Sequence, residues 1–291
     1  MILSKCVGCS KCPIPQLLCA SCCIGKAKSR SIRKSAPPTQ TKTLSIDKLL
    51  PGDLIFTDQY ISRVKGRLPH TRGKESDSDK YIGGTIFVDA ATSFTRVYHQ
   101  STLLASDTLT SKHAFEYELH SYGIRAKTYH GDNGIFKSSA WVEDCKLKHQ
   151  DNNFSGVGAQ HQNGVVERAQ GTISRWSRCM LLHHALHWPQ QADSGLWPFA
   201  MDYATWVWNK LPSMSSGYSP EELFLRTKSS HVDINRARIW GSPLYILDPK
   251  LQNGEHIPKW NKRSEVGSFM GFSPHHSSTV SLALNTATSS V

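Results

Sequence analysis

Three strand-like stretches precede the first helical pattern, and that order limits the chain to folds built on one central sheet. "DLIFTDQY" (53–60) alternates so that Leu54, Phe56, Asp58 and Tyr60 share a face. "YIGGTIFVDA" (81–90) and "FTRVYHQ" (94–100) supply two more strands. Residues 62–80 are almost wholly polar and read as a hairpin excursion. A helix over 105–123, stopped by Gly123, leads into a fourth strand at 124–130, and residues 137–150 form a short helix. "FSGVGAQ" (154–160), with Gly156 and Gly158, reads as a flexible loop. The best helical pattern follows, from about 160 to 185, where Val166, Ala169, Ile173, Trp176 and Met180 make one apolar stripe. Another helix covers about 192–210 and ends before Pro212. Apolar pieces at 238–247 and 265–273 read as strands of a small β unit. The sequence therefore predicts a mixed α/β fold with one central sheet.

Charge is spread unevenly along the 291 residues. Residues 1–45 carry eight Lys/Arg and no acid, and residues 226–291 carry eight basic and four acidic side chains. The middle, 46–225, holds 18 basic and 19 acidic residues, so the net charge of +11 belongs to the flanks. Basic arms of this kind fit a polyanionic partner, because phosphate neutralisation dominates non-specific nucleic-acid binding; a solvated tail is the alternative. No apolar run approaches the ~18 residues of a membrane span. The first 25 residues scatter cysteines and lysines where a secretory signal would have an apolar stretch. Six of the eight cysteines fall between positions 6 and 23, which favours a metal site over a chain-wide disulfide framework.

Three acids occupy unusual positions. Asp58 lies on the apolar face of its strand, where a lone carboxylate is costly unless a cation or donor compensates. Asp132, in "YHGDNGIF" (129–136), follows the fourth strand, and Glu167 adjoins the apolar stripe of the best helix. Acids from a strand, a strand end and a helix can converge at the carboxyl side of one sheet. Hard divalent cations relieve the repulsion in such a cluster, and Mg2+ completes its shell with water and phosphate oxygens. Two ions about 3.5–4 Å apart can serve an in-line phosphoryl transfer.

The motifs around these acids resemble the DDE site of retroviral-type integrases, most closely the integrase region of copia-type retrotransposons. "LIFTD" ends in Asp58, "HGDNG" carries Asp132, and "QHQNGVVERAQGTI" carries Glu167, 35 residues further on. "ATWVWNKLPS" (204–213), "GYSPEELF" (217–224), "RARIWGSPLYIL" and "KWNKRSEVGSFMGFS" extend the likeness over roughly residues 45–275. The resemblance implies an RNase H-like core over 45–225 and a small β-rich carboxyl-terminal region over 226–291. It also implies Mg2+ (or Mn2+) held by Asp58, Asp132 and Glu167, with processing of element DNA ends and strand transfer into target DNA. A nuclear location and a homo-oligomeric active state follow from the same resemblance.

Gln162 and Asn163 stand just before Glu167 and either contact DNA or cap the helix. Arg168, Arg175 and Arg178 lie off the apolar stripe and either meet phosphates or form a solvated face. His130 reads as structural, and Asp89 as a turn residue and not a ligand. "CASCCIGK" (19–26) resembles the second half of the His-His-Cys-Cys zinc module of these integrases, with Cys19 and Cys22 as Zn2+ ligands. No histidine precedes His70, so residues 1–25 read as a partial module, joined by a basic linker at 26–44. Cys6, Cys9 or Cys12 completing a four-cysteine site is the alternative. The chain reads as a fragment of an element. Two other functions stand beside the integrase reading: an inactive relic that binds DNA through its basic arms, and a generic RNase H-like nuclease.

Overall fold

The computed structural model describes residues 19–26, 49–69, 80–155, 163–214, 216–228, 232–274, 276 and 279–291. The central sheet contains β1 (Ile55–Gly66), β2 (Tyr81–Asp89), β3 (Thr95–Gln100), β4 (Thr128–Gly131) and β5 (Asp151–Phe154), in the order β3-β2-β1-β4-β5. The first three strands are antiparallel neighbours, β4 runs parallel to β1, and β5 runs parallel to β4. This sheet agrees with the mixed α/β fold on one central sheet expected from the sequence.

Helices α1 (Ala20–Gly25), α2 (Ala105–Ser121), α3 (Ser139–Leu147), α4 (Gly164–His187), α5 (Trp197–Lys210) and α6 (Pro220–Leu225) surround it. Short helices α7 (Val232–Asn235) and α8 (Pro249–Gln252) flank the first strand of a second sheet. That sheet is antiparallel, with β6 (Pro243–Leu247), β7 (Ser264–Phe272) and β8 (Ser281–Asn285).

Helices cover both faces of the central sheet, which is why β2 is a nearly unbroken apolar run. On one face Ile55, Phe87 and Tyr129 pack with Phe115 and Leu119 of α2 and Trp141 of α3. On the other, Tyr60, Ile86 and Val88 meet Val166, Ala169 and Ile173 of α4 and Met201 and Ala204 of α5. The predicted α4 stripe is thus the surface that docks on the sheet. The far side of α5 shares a third apolar cluster with the second sheet, through Phe199, Tyr203 and Val207 against Phe269, Met270 and Leu284.

Lys112 of α2 is fully buried among acids. Its ammonium pairs with Asp144 and with Glu116 (3.0 Å) and donates to Gln150 Oε1 (2.7 Å). Burial alone would raise the Asp144 pKa, yet hydrogen bonds from Lys112 and His113 outweigh it and hold the carboxyl down at about 2.

Several elements differ from the sequence expectation. β1 runs on through Gly66, so the polar excursion begins later than residue 62; Gly66 pairs with Tyr81 across an irregular register. Trp197 Nε1 donates to Val64 O (2.8 Å), and Arg67 pairs with Asp193 (2.5 Å), so contacts with the α5 region hold this polar strand in place. The fourth strand is shorter than 124–130, because β4 meets β1 only through Tyr129 and His130. β5 was not expected: "DNNF" has weak strand propensity and is held as an edge strand by its register with β4. β8 was also missed, and the 238–247 strand begins only at Pro243.

Candidate active site

Asp58 sits opposite Ile86 in the β1–β2 register, as Phe56 sits opposite Val88, so it belongs to the face covered by α4. β4 runs alongside with Phe56 paired to His130, and the two rings meet edge to face with centroids 5.2 Å apart. Two residues after this pair come Asp58, still within β1, and Asp132, in the turn that follows the end of β4 at Gly131. Glu167 lies in the first turn of α4, directly after the fully buried Val166.

The local sequence explains the turn at Asp132. Gly134 N–H donates to Asp132 Oδ1 (3.1 Å), and a Cβ on Gly134 would stand 3.1 Å from Asp132 Oδ2. Asn133 Nδ2 donates to Ser155 O (2.6 Å), which ties the turn to the end of β5. Ser155 N–H donates to Gly131 O (3.0 Å), and the Ser155 hydroxyl meets His130 Nε2 (3.2 Å). Ser155 carried no motif that could have marked it in the sequence.

The acids act on one another. Burial pushes the Asp58 carboxyl up to about 6; the Gln59 N–H (2.9 Å) opposes this, while the charges of Asp132 and Glu167 add to it. Asp58 therefore feels carboxylates from a strand end and a helix as well as its own desolvation. Among the described residues, however, no three His, Cys, Asp or Glu side chains lie close enough together to hold one ion. Mutual repulsion favours separation of like charges, so electrostatic coupling and the lack of a tight ligand cluster are compatible. An oxygen-only donor set matches the preference of Mg2+ or Mn2+, which take water and substrate oxygens for the rest of their shell.

The remaining candidates fall out differently. Asn163 is only 4% exposed; its side chain makes no cap on α4, and its Nδ2 donates to Thr57 O (3.4 Å). Of the two roles weighed for it, the helix cap is not the one seen. Gln162, Gly156 and Gly158 lie outside the described residues. Arg168 is exposed, whereas Arg175 folds back onto Gly171 O (2.9 Å) and the Thr172 hydroxyl (3.1 Å) of its own helix. Arg178 donates to Gly25 O (3.4 Å), joining α4 to α1. Asp89 is a buried turn residue as expected, accepting from Gly52 N (2.8 Å), Thr92 N (2.9 Å) and Thr92 Oγ1 (2.7 Å).

The zinc expectation finds no support. Cys19 and Cys22 are free thiols at α1, and no third or fourth ligand joins them among the described residues. Burial and the neighbouring Cys19 raise the Cys22 thiol to about 11, while hydrogen bonds from Cys22 and Ser21 lower Cys19. Cys6, Cys9 and Cys12 lie outside the described residues.

Comparison with solved structures finds two forms, trimeric and dimeric, of the HTLV-2 integrase catalytic core domain in complex with magnesium. They are 21% and 22% identical, each with a TM-score of 0.42, covering 60% of this chain and 98% of that one. A simian T-cell lymphotropic virus intasome in complex with PP2A regulatory subunit B56 gamma is 15% identical, with a TM-score of 0.45, covering 81% of this chain and 77% of that one. No protein-family model matches the chain, and no curated protein does. At these scores the structural likeness bears no weight, and the functional reading comes from the chain's own residues. Among the described residues, no helix is long and apolar enough to cross a membrane.

Proposed function

We propose that this chain is a DNA-joining polynucleotidyl transferase of the integrase type, from a copia-type retrotransposon. One observation carries the reading: Asp58 is half-buried and its carboxyl is raised to about 6, with Asp132 and Glu167, from two other elements, adding to that shift. A carboxylate destabilised by two others in this way is relieved by divalent cations. The resemblance of "LIFTD", "HGDNG" and "QNGVVER" to the integrase DDE motifs supports the same roles for these three residues.

Asp58, Asp132 and Glu167 would hold Mg2+ or Mn2+, which supplies Lewis-acid activation of an attacking hydroxyl and of the scissile phosphate. Asp58 is ionised above its pKa of about 6 and keeps Oδ1 on the Gln59 N–H, leaving Oδ2 for a ligand. Asp132 and Glu167 are exposed and so face an incoming strand. The 3′-hydroxyl of element DNA forms a bond to a target phosphorus as the target's own P–O3′ bond breaks. One phosphodiester replaces another, so no external energy source is needed. The basic flanks and the exposed Arg168 supply phosphate contacts. A homo-oligomer acting on DNA in the nucleus completes the proposal.

The test is thermal unfolding with and without Mn2+. Wild type gains stability from Mn2+, as any ligand of the folded state provides, and Asp132→Asn gains less. Equal gains in both proteins would contradict the assignment of Asp132.

A further inference from the structure

Asn163 combines features that an ordinary helix-start asparagine does not have. Such a residue normally turns its side-chain oxygen onto the N–H groups of the first helical turn. Asn163 makes no such cap, although it occupies the position before α4. Its side chain is buried, and Oδ1 has no partner among the described residues. A buried acceptor left unpaired costs about 1–3 kcal/mol, so the conformation needs a reason.

The reason lies in the other end of the amide. Nδ2 donates to the backbone oxygen of Thr57, the residue before Asp58. The bond is long at 3.4 Å, but it lies in a buried place where little water competes. Asn163 and Glu167 are four residues apart and so share one side of α4. Val166, Ala169 and Ile173 set how far α4 lies from the sheet. Apolar packing is non-directional, however, and resists sliding along the helix axis less than a directed bond does. The amide bridge at the first turn supplies that direction and fixes the start of α4 against β1.

We infer that Asn163 is a positioning residue that sets the placement of Glu167 relative to Asp58. This rests on reading Asp58, Asp132 and Glu167 as the metal-holding acids. Asp132 has its own anchor, through Asn133 and Ser155. The two sides of the site are therefore held separately, one by Asn133 to β5 and one by Asn163 to β1.

The experiment compares wild type, Asn163→Leu, Asn163→Gln and Glu167→Gln by Mn2+ binding, read by electron paramagnetic resonance, and by a Mn2+-dependent DNA-joining assay. Leucine keeps the buried volume and removes the bridge. Residues that orient a metal's ligands typically contribute 10–100-fold to its affinity, so Asn163→Leu weakens Mn2+ binding about tenfold or more. Its circular dichroism stays unchanged and any fall in its thermal midpoint is small, because the lost hydrogen bond to Thr57 O is offset by removal of the Oδ1 acceptor that has no partner among the described residues. Asn163→Gln, which restores a donor, recovers part of the loss. Should Asn163→Leu fail to fold, Asn163→Ser takes its place with the same expected loss.

Wild-type Mn2+ binding and joining in the folded variant overturns the inference. If Glu167→Gln binds Mn2+ like wild type, the reading of the site fails and the inference falls with it. If Glu167→Gln loses binding while Asn163→Leu retains it, only the inference falls.

Discussion

Phe56 and His130 meet edge to face on paired parallel strands, and two residues after each along the chain stands an acid, Asp58 within β1 and Asp132 in the turn after β4. Apolar and aromatic packing thus runs up to the acids and stops, leaving Asp58 half-buried beside exposed partners. The desolvation and repulsion that raise its pKa to about 6 are stability withheld from the fold.

The sign follows from linkage. Below about pH 4, Asp58 is protonated in both folded and unfolded chains and imposes no penalty. As the pH rises through 6, the unfolded chain has already released its proton and the folded one releases it at a cost, reaching about 2–3 kcal/mol by neutral pH. Asp58→Asn removes that penalty. Its stability advantage over wild type, measured by urea unfolding in EDTA, is therefore small at pH 4 and approaches that value at pH 7.5. An advantage that does not change with pH would contradict the electrostatic account.

Lys112 gives a second prediction. Removing one member of a buried charge group strands the others, at roughly 3–5 kcal/mol. Among the described residues, Lys112→Met leaves Glu116 and Asp144 with the Lys148 ammonium as compensating charge, and Asp144 with its contact to His113 Nε2. Chemical denaturation should show a loss of about 3 kcal/mol. Asp144 is held at about 2 in the native protein, so the stability it provides is present above the usual carboxylate pKa and is lost as the pH falls towards 2. In the variant Asp144 provides less stability, so this acid-side loss is smaller and is complete at a higher pH.

Gly84 gives a third. It faces Tyr60 in the β1–β2 register, and a Cβ there would overlap the Tyr60 hydroxyl and the Tyr98 carbonyl oxygen. The Tyr60 hydroxyl is hydrogen-bonded to His99 Nδ1 (2.6 Å), so the ring is not free to swing away. Gly84→Ala should cost about 1–3 kcal/mol through overpacking, measured by denaturant midpoint. The double variant Gly84→Ala with Tyr60→Phe recovers part of that loss.

Much of this arrangement was legible in the sequence because its signals are local. The α4 stripe at Val166, Ala169 and Ile173 follows helical period and does dock on the sheet. Asp58 was marked as anomalous by its place on an apolar face, and its raised pKa bears out the expected strain.

What escaped the sequence depends on partners distant along the chain. "DNNF" becomes β5 only because β4 offers it a parallel edge. The polar end of β1 is held by Trp197, more than a hundred residues away. Asn163 looked like a cap or a DNA contact, and nothing nearby in sequence indicates that its amide reaches Thr57.

The central claim is that Asp58, Asp132 and Glu167 together carry metal-dependent DNA joining. The most direct measurement is a strand-transfer and disintegration assay on the purified chain with Mg2+ or Mn2+, run beside Asp132→Asn and Glu167→Gln. The account predicts metal-dependent joining by wild type and a loss of at least a hundredfold, about 2.7 kcal/mol, in each variant, with salt-sensitive DNA binding retained. Joining by either variant at the wild-type rate would contradict it. No joining by wild type, with DNA binding intact, would favour a relic that holds DNA through its basic arms without reacting on it.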